Sequence, residues 1–152
     1  MAELKIKKSA GFFVNCLTLV LTLIGTVFFA LSYGTGYIGI VYGEKNSVWI
    51  TLELAAVILI CLVLTGIQAA GKQKPELFDV LTYLLVLLLT TATLFLLVDR
   101  VDAIGNCIVA PWDAGHGGED SCYLSFVSMG CWLIALVANI VLSFAGYRKK
   151  DN

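Results

Sequence analysis

Leu77 to Val98 reads LFDVLTYLLVLLLTTATLFLLV, 22 residues with one acidic side chain, Asp79, near the start. At about 1.5 Å per residue a helix of this length crosses the ~30 Å hydrocarbon core of a bilayer. A helix at a soluble protein's surface keeps one polar face, and this one has none. The stretch is a transmembrane span, and its two flanks organise the chain. On one side lies Gly71-Lys72-Gln73-Lys74-Pro75-Glu76, short and basic. On the other lies Asp99 to Ser121, acidic, with a Gly-rich centre.

The same criterion applied outward gives three more spans. The four predicted spans are residues 10–32, 48–70, 77–98 and 122–146. They use up most of the 152 residues, of which 59% are hydrophobic and 14% charged, and leave no room for a second folded domain. The expected fold is all-α, a four-helix transmembrane bundle with antiparallel neighbours joined by short loops. The first apolar run is longer than the core of a cleavable signal peptide and reads as a signal anchor.

Charge sets the expected orientation. Of ten Lys and Arg, Lys5, Lys7, Lys8, Lys72, Lys74, Arg148, Lys149 and Lys150 fall on one side, and only Lys45 and Arg100 on the other. Basic loops stay cytosolic, so both termini and the middle loop are predicted cytosolic. A basic inner face suits anionic membrane lipid and is not a nucleic-acid footprint.

Small and polar residues mark the face each span is expected to turn inward. In the first, Gly11, Asn15, Thr18, Thr22, Gly25 and Phe29 form a stripe of mostly small or polar residues, the kind that packs helices together in lipid. In the fourth, Ser121, Ser125, Ser128, Cys131, Ala135, Asn139 and Gly146 do the same. In the second, Ala55, Leu59, Leu62, Gly66 and Ala69 or Ala70 are expected to face the bundle. In the third, Thr82, Val86, Thr90 and Thr93 are the inward candidates.

Several polar residues stand within the spans. Glu53 lies about one turn inside span two. An ionisable group there marks a functional site by default, and the plainer alternative is a shallow carboxylate that snorkels or pairs with Lys45 or Arg100. Asn15, Gln68, Asp79 and Asn139 all fall within one or two turns of the predicted cytosolic edge. Some of them are expected to form an interhelical polar layer, as a structural clasp or as part of an ion path. Asp79 and Glu76 after Pro75 also make good helix-start chemistry.

The predicted outer side carries two loops. Tyr33 to Ser47 has four glycines and three tyrosines. Tyr37, Tyr42 and then Trp49 suit either interfacial anchoring or a partner-binding surface, and Trp112 in the last loop reads the same way. Cys107 and Cys122 enclose 14 residues there. On the oxidising side a Cys107–Cys122 disulfide is expected, worth about 3 kcal/mol in the chain-entropy model. Cys16, Cys61 and Cys131 read as small packing residues. Asp113, His116, Glu119 and Asp120 share the last loop. A single His, no repeated ligand spacing and three glycines favour a solvated acidic loop over a metal site, and no cofactor is expected.

Neither a Cys-x-x-Cys pair nor a Gly-rich phosphate loop occurs, and few ionisable groups share one depth, so the reading is non-catalytic. The C-terminal YRKKDN is a positive flank or a lipid-binding tail. Its Lys149 and Lys150 also resemble a dilysine retrieval signal for the endoplasmic reticulum, the alternative to the plasma membrane or a vesicle.

The layout of four spans, cytosolic termini, a short middle loop and an acidic residue near the start of span three resembles the MARVEL-type tetraspans, the group of myelin-and-lymphocyte, synaptophysin and occludin proteins. Lys74-Pro75-Glu76-Leu77-Phe78-Asp79 is most similar to a small septate-junction branch of insects, and Cys107 and Cys122 to the cysteine pair in the last outer loop of several members. The first outer loop has no Cys, which departs from claudins. The resemblance implies a membrane-organising role at junctions or on vesicles. The partners would be membrane lipids and either further copies of the chain or another membrane protein. The alternative is a small channel or transporter subunit with a path near Glu53 and the inner polar layer.

Overall fold

The computed structural model describes residues 2–34, 47–70, 75–109 and 118–147; side chains at several helix ends, among them 2–10, 102–104, 106–109 and 145–147, lie outside the description. Four helices account for these residues: α1 (Ala2–Gly34), α2 (Ser47–Ala69), α3 (Pro75–Val109) and α4 (Gly118–Tyr147). Each contains an apolar stretch long enough to cross a membrane: Gly11–Tyr33, Ser47–Ala69, Glu76–Val101 and Asp120–Phe144. The fold is all-α, with four long apolar helices of membrane-spanning length. Helices consecutive in the chain pack side by side and α4 closes the ring against α1. The first and last helices therefore lie next to each other, and both termini lie at one end, called here the terminal end. The opposite end is the loop end.

Three helices run further than the apolar runs alone suggested. Residues 2–9, which precede the predicted first span, are the first turns of α1. At the loop end α3 continues to Val109 and α4 begins at Gly118, so most of the predicted loop from Asp99 to Ser121 is helical, and residues 110–117 lie outside the description. Polar residues do not end a helix once it has left the hydrocarbon; a proline does. A proline disfavours helical geometry in the residue before it, and the described part of α3 ends at Val109, ahead of Pro111. At 35 residues α3 is about 52 Å long, well beyond the hydrocarbon thickness.

The residues of each helix's inward stripe advance in alternating steps of four and three, with Ile60, Thr93, Cys122 and Met129 also buried beside them. On α1 they are Gly11, Asn15, Thr18, Thr22, Gly25, Phe29 and Ser32. On α4 they are Ser121, Ser125, Ser128, Trp132, Ala135 and Asn139. On α2 they are Ile50, Leu54, Val57, Cys61 and Leu64, and on α3 Leu85, Leu89, Ala92 and Leu96. This average of 3.5 residues is the repeat of coiled-coil packing, in which each side chain enters a hole on the next helix.

The two halves of the bundle reach close packing differently. Where α1 meets α4, small residues bring the backbones near enough for side chains to bond across. Ser128 Oγ donates to the Gly25 carbonyl at 2.9 Å and Ser121 Oγ to the Ser32 carbonyl at 2.6 Å. Trp132 fills the remaining volume: a Cβ at Gly25 would stand 2.7 Å from the indole Cδ1. Its ring packs at 5.9 Å from Phe29, which meets Tyr33 edge-on at 4.7 Å. Where α2 meets α3, aliphatic side chains do the filling.

That division corrects the expected inward face of α2. Ala55, Leu59, Leu62, Gly66 and Ala69 all lie on the exposed surface, and a Cβ at Gly66 would meet nothing within 4 Å. Since α1 offers mostly small residues apart from Phe29, much of the interior volume has to come from bulkier neighbours, and α2 turns Ile50, Leu54, Val57 and Leu64 inward. On α3 likewise Leu85, Leu89, Ala92 and Leu96 hold the centre. Thr82, Val86 and Thr90 are half-buried at its flanks, and Thr93 alone of the four is buried. The threonines close their own backbone bonds, Thr90 Oγ1 to the Val86 carbonyl at 2.8 Å and Thr93 Oγ1 to that of Leu89 at 2.7 Å.

Candidate functional site

Two polar clusters sit at opposite ends of the bundle. At the terminal end, α1 contributes Asn15 and Thr18, one turn apart and both buried. Asn15 Nδ2 donates to Gln68 Oε1 of α2 at 3.1 Å. The absent side chain of Gly11 leaves room for the Gln68 amide, whose Nε2 lies 3.1 Å from where a Cβ would stand. On the other flank Asn139 Nδ2 of α4 donates to Thr18 Oγ1 at 2.7 Å and to the Ala135 carbonyl at 2.8 Å. Thr18 Oγ1 donates in turn to the Val14 carbonyl at 2.8 Å. The layer therefore joins α2, α1 and α4 in sequence. Asp79 is exposed on α3 and takes no part. Near the helix start its carboxylate is placed to face headgroups and the positive end of the α3 dipole.

At the loop end lies a cluster that the sequence reading passed over. Arg100, the last residue but one of the α3 span, is wholly buried. Its Nη2 donates to Ser32 Oγ at 3.3 Å, and its Cζ stands 4.8 Å above the centre of the Tyr33 ring. Tyr33 donates its hydroxyl to Asp99 Oδ2 at 3.0 Å, and Ser32 Oγ donates to the Phe29 carbonyl at 2.7 Å. With Ser121 bonded to the Ser32 carbonyl, the last turn of α1 is fastened to both α3 and α4. Arg100 Nε and Nη1 have no hydrogen-bond partner. Arginine keeps its proton at any physiological pH, so this cluster holds a permanent cation. One feature in the sequence pointed here: Asp-Arg directly after an apolar run, at the depth where aromatic side chains collect.

Glu53 belongs to neither cluster. It is half-buried on the flank of α2, six residues or about 9 Å in from Ser47, with its carboxyl beside Thr91 of α3. Its Oε2 has no hydrogen-bond partner. The pairing with Arg100 weighed from the sequence is not formed, because that guanidinium turns to Ser32 and Tyr33. Lys45 lies outside the described residues.

Trp49 is 61% exposed near the start of α2, placed to anchor at an interface or meet a partner. Tyr37, Tyr42, Trp112, Asp113 and His116 lie outside the described residues, as do Lys149 and Lys150. Cys122 is buried in the first turns of α4. Cys107 is in the last turn of α3, and its side chain is outside the description, as is any bond it makes. Cys61 is buried; Cys16 and Cys131 are half-buried. Among the described residues, no group of three His, Cys, Asp or Glu is placed to hold a metal ion.

Fold and clusters together define a class: a four-span integral membrane bundle with a polar cluster at each end and, between them, close-packed layers in which apolar side chains sit beside the hydroxyls of Thr22, Thr93, Ser125 and Ser128. Comparison with known proteins finds no matching family model, no matching curated protein and no matching solved structure.

Proposed function

We propose that this protein is a non-catalytic membrane scaffold, organising a junction, vesicle or other membrane region through its outer loops and through lateral association, in the manner its MARVEL-type resemblance implies. What supports this reading is the interior. Between Glu53 and the layer of Asn15, Gln68 and Asn139 stand Leu54, Val57, Leu64, Leu85, Leu89 and Trp132, each at most 1% exposed. Tight apolar packing of that kind holds helices in fixed register and offers no continuous polar lining to a solute. The termini are proposed to be cytosolic, from the eight-to-two division of basic residues. The protein would then present its α1–α2 and α3–α4 connections to the outside of the cell or the vesicle lumen.

The test is surface labelling of a tagged copy in cells, with blue-native electrophoresis of the same detergent extract. Surface exposure with a discrete large complex is the expected result. A monomer held inside the cell, and released by changing Lys149 and Lys150 to Ser, would overturn it in favour of a resident of the endoplasmic reticulum. A second reading, a channel or transporter subunit, draws on one observation: the unpartnered Oε2 of Glu53. Proton or cation flux into liposomes holding the pure protein, abolished by Glu53→Gln, would establish it.

A further inference from the structure

Arg100 and Asp99 place a fixed cation and a carboxylate side by side at the end of the α3 span. The Tyr33 ring lies against the guanidinium and the Tyr33 hydroxyl against the carboxylate. Leaving a buried guanidinium with two nitrogens unpartnered is costly, and the charge cannot be shed as a proton. Oxyanions are what a guanidinium binds best. The depth names their source: Arg100 is one residue from the end of the apolar stretch, the level at which lipid phosphates begin.

We propose that Arg100, Asp99 and Tyr33 form a binding site for one zwitterionic phospholipid headgroup of the loop-end leaflet. Arg100 Nε and Nη1 take the phosphate. Asp99 and the Tyr33 ring take the quaternary or primary ammonium, the ring by cation–π attraction. Entry requires the last turn of α1 to part from α3. Within the described residues that means giving up the Tyr33–Asp99 and Ser32–Arg100 hydrogen bonds, the second already long at 3.3 Å, and the Arg100–Tyr33 ring contact, which frees the ring face for the ammonium. Adjacent opposite charges distinguish this site from an anionic-lipid patch, where basic residues cluster without a carboxylate. The proposal is independent of the scaffold reading and survives its failure.

The test is native mass spectrometry of the full chain, delipidated in detergent and then offered phosphatidylcholine or phosphatidylglycerol with the same acyl chains. The expected result is one retained phosphatidylcholine per chain, held about tenfold more tightly than phosphatidylglycerol. Arg100→Gln should lower phosphatidylcholine retention about tenfold, and Asp99→Asn should erase the preference between the two lipids. Equal retention by Arg100→Gln and the wild type would overturn the proposal, as would a wild-type preference for phosphatidylglycerol. Displacement of the lipid by soluble phosphocholine alone would assign the pocket to a free ligand and overturn the lipid source. If Arg100→Gln does not fold, the wild type and Asp99→Asn decide between them by the presence or loss of that preference.

Discussion

Gly25 and Trp132 are the pair on which the α1–α4 contact turns. A methyl group at Gly25 would overlap the indole and press on Cys131 Cβ at 3.3 Å. Since the obstacle is a buried ring against a helix backbone, Gly25→Ala should destabilise the bundle by about 1–3 kcal/mol. Unfolding in mixed detergent measures this. Adding Trp132→Leu to Gly25→Ala should recover part of the loss, giving a non-additive cycle. Asn139→Leu is expected to cost less, about 0.6 to 2 kcal/mol, since interhelical hydrogen bonds in membranes are individually modest. A loss above about 4 kcal/mol would mean the terminal-end layer does more than fix register. Readability at this scale followed contrast with lipid. Asn15, Thr18 and Asn139 stand out because hydrocarbon offers them no partner. Trp132 did not stand out, because a large apolar ring is at home inside or outside the bundle. Arg100 was missed because the apolar run ends before it while the helix does not.

Among the helices, α1 and α4 could be oriented from sequence and α2 and α3 could not. The reason is the solvent. In water a leucine stripe marks the buried face, but lipid chains are as apolar as leucine, so only small or polar residues mark an interface. On α2 even that mark misled: Ala55, Gly66 and Ala69 look outward while Ile50, Leu54 and Leu64 look in. The difference is measurable. Leu64→Ala should cost about 2–5 kcal/mol as a buried large-to-small change. Leu59→Ala, at 64% exposure, should stay within about 0.5 kcal/mol. Comparable losses at both positions would show that the outer face of α2 is covered in the assembled protein. The helix ends were the other gap, because hydropathy reports where the hydrocarbon stops and not where backbone hydrogen bonding stops. Hence α3 reaches Val109, past the expected end at Val98.

For the whole molecule, the number of spans and their antiparallel order were readable from length and apolar composition alone. The ring arrangement, with α1 beside α4, was not, since several circuits of four short-looped helices are possible. The bundle predicts that both termini react with reagents from one side. Engineered cysteines before Gly11 and after Tyr147 should be labelled only after permeabilisation, and an Asn-x-Thr site inserted within 110–117 should be glycosylated. The opposite pattern would reverse the proposed orientation while leaving the fold intact. A Cys107–Cys122 disulfide would show as faster migration on a non-reducing gel, lost in Cys107→Ser.

Among the described residues, the contact with the most hydrogen bonds across it joins the earliest made of these four helices to the latest. During synthesis α1 enters the bilayer carrying Thr18, Gly25 and Ser32 on one face, and their hydrogen-bond partners Asn139, Ser128 and Ser121 do not yet exist. For the interval that the ribosome needs to make residues 35 to 139, roughly 5 to 20 s at the usual elongation rate, that face has to be sheltered by something else. Insertion machinery or a membrane chaperone with a polar groove is the natural shelter, and a chain truncated before α4 should remain bound to it.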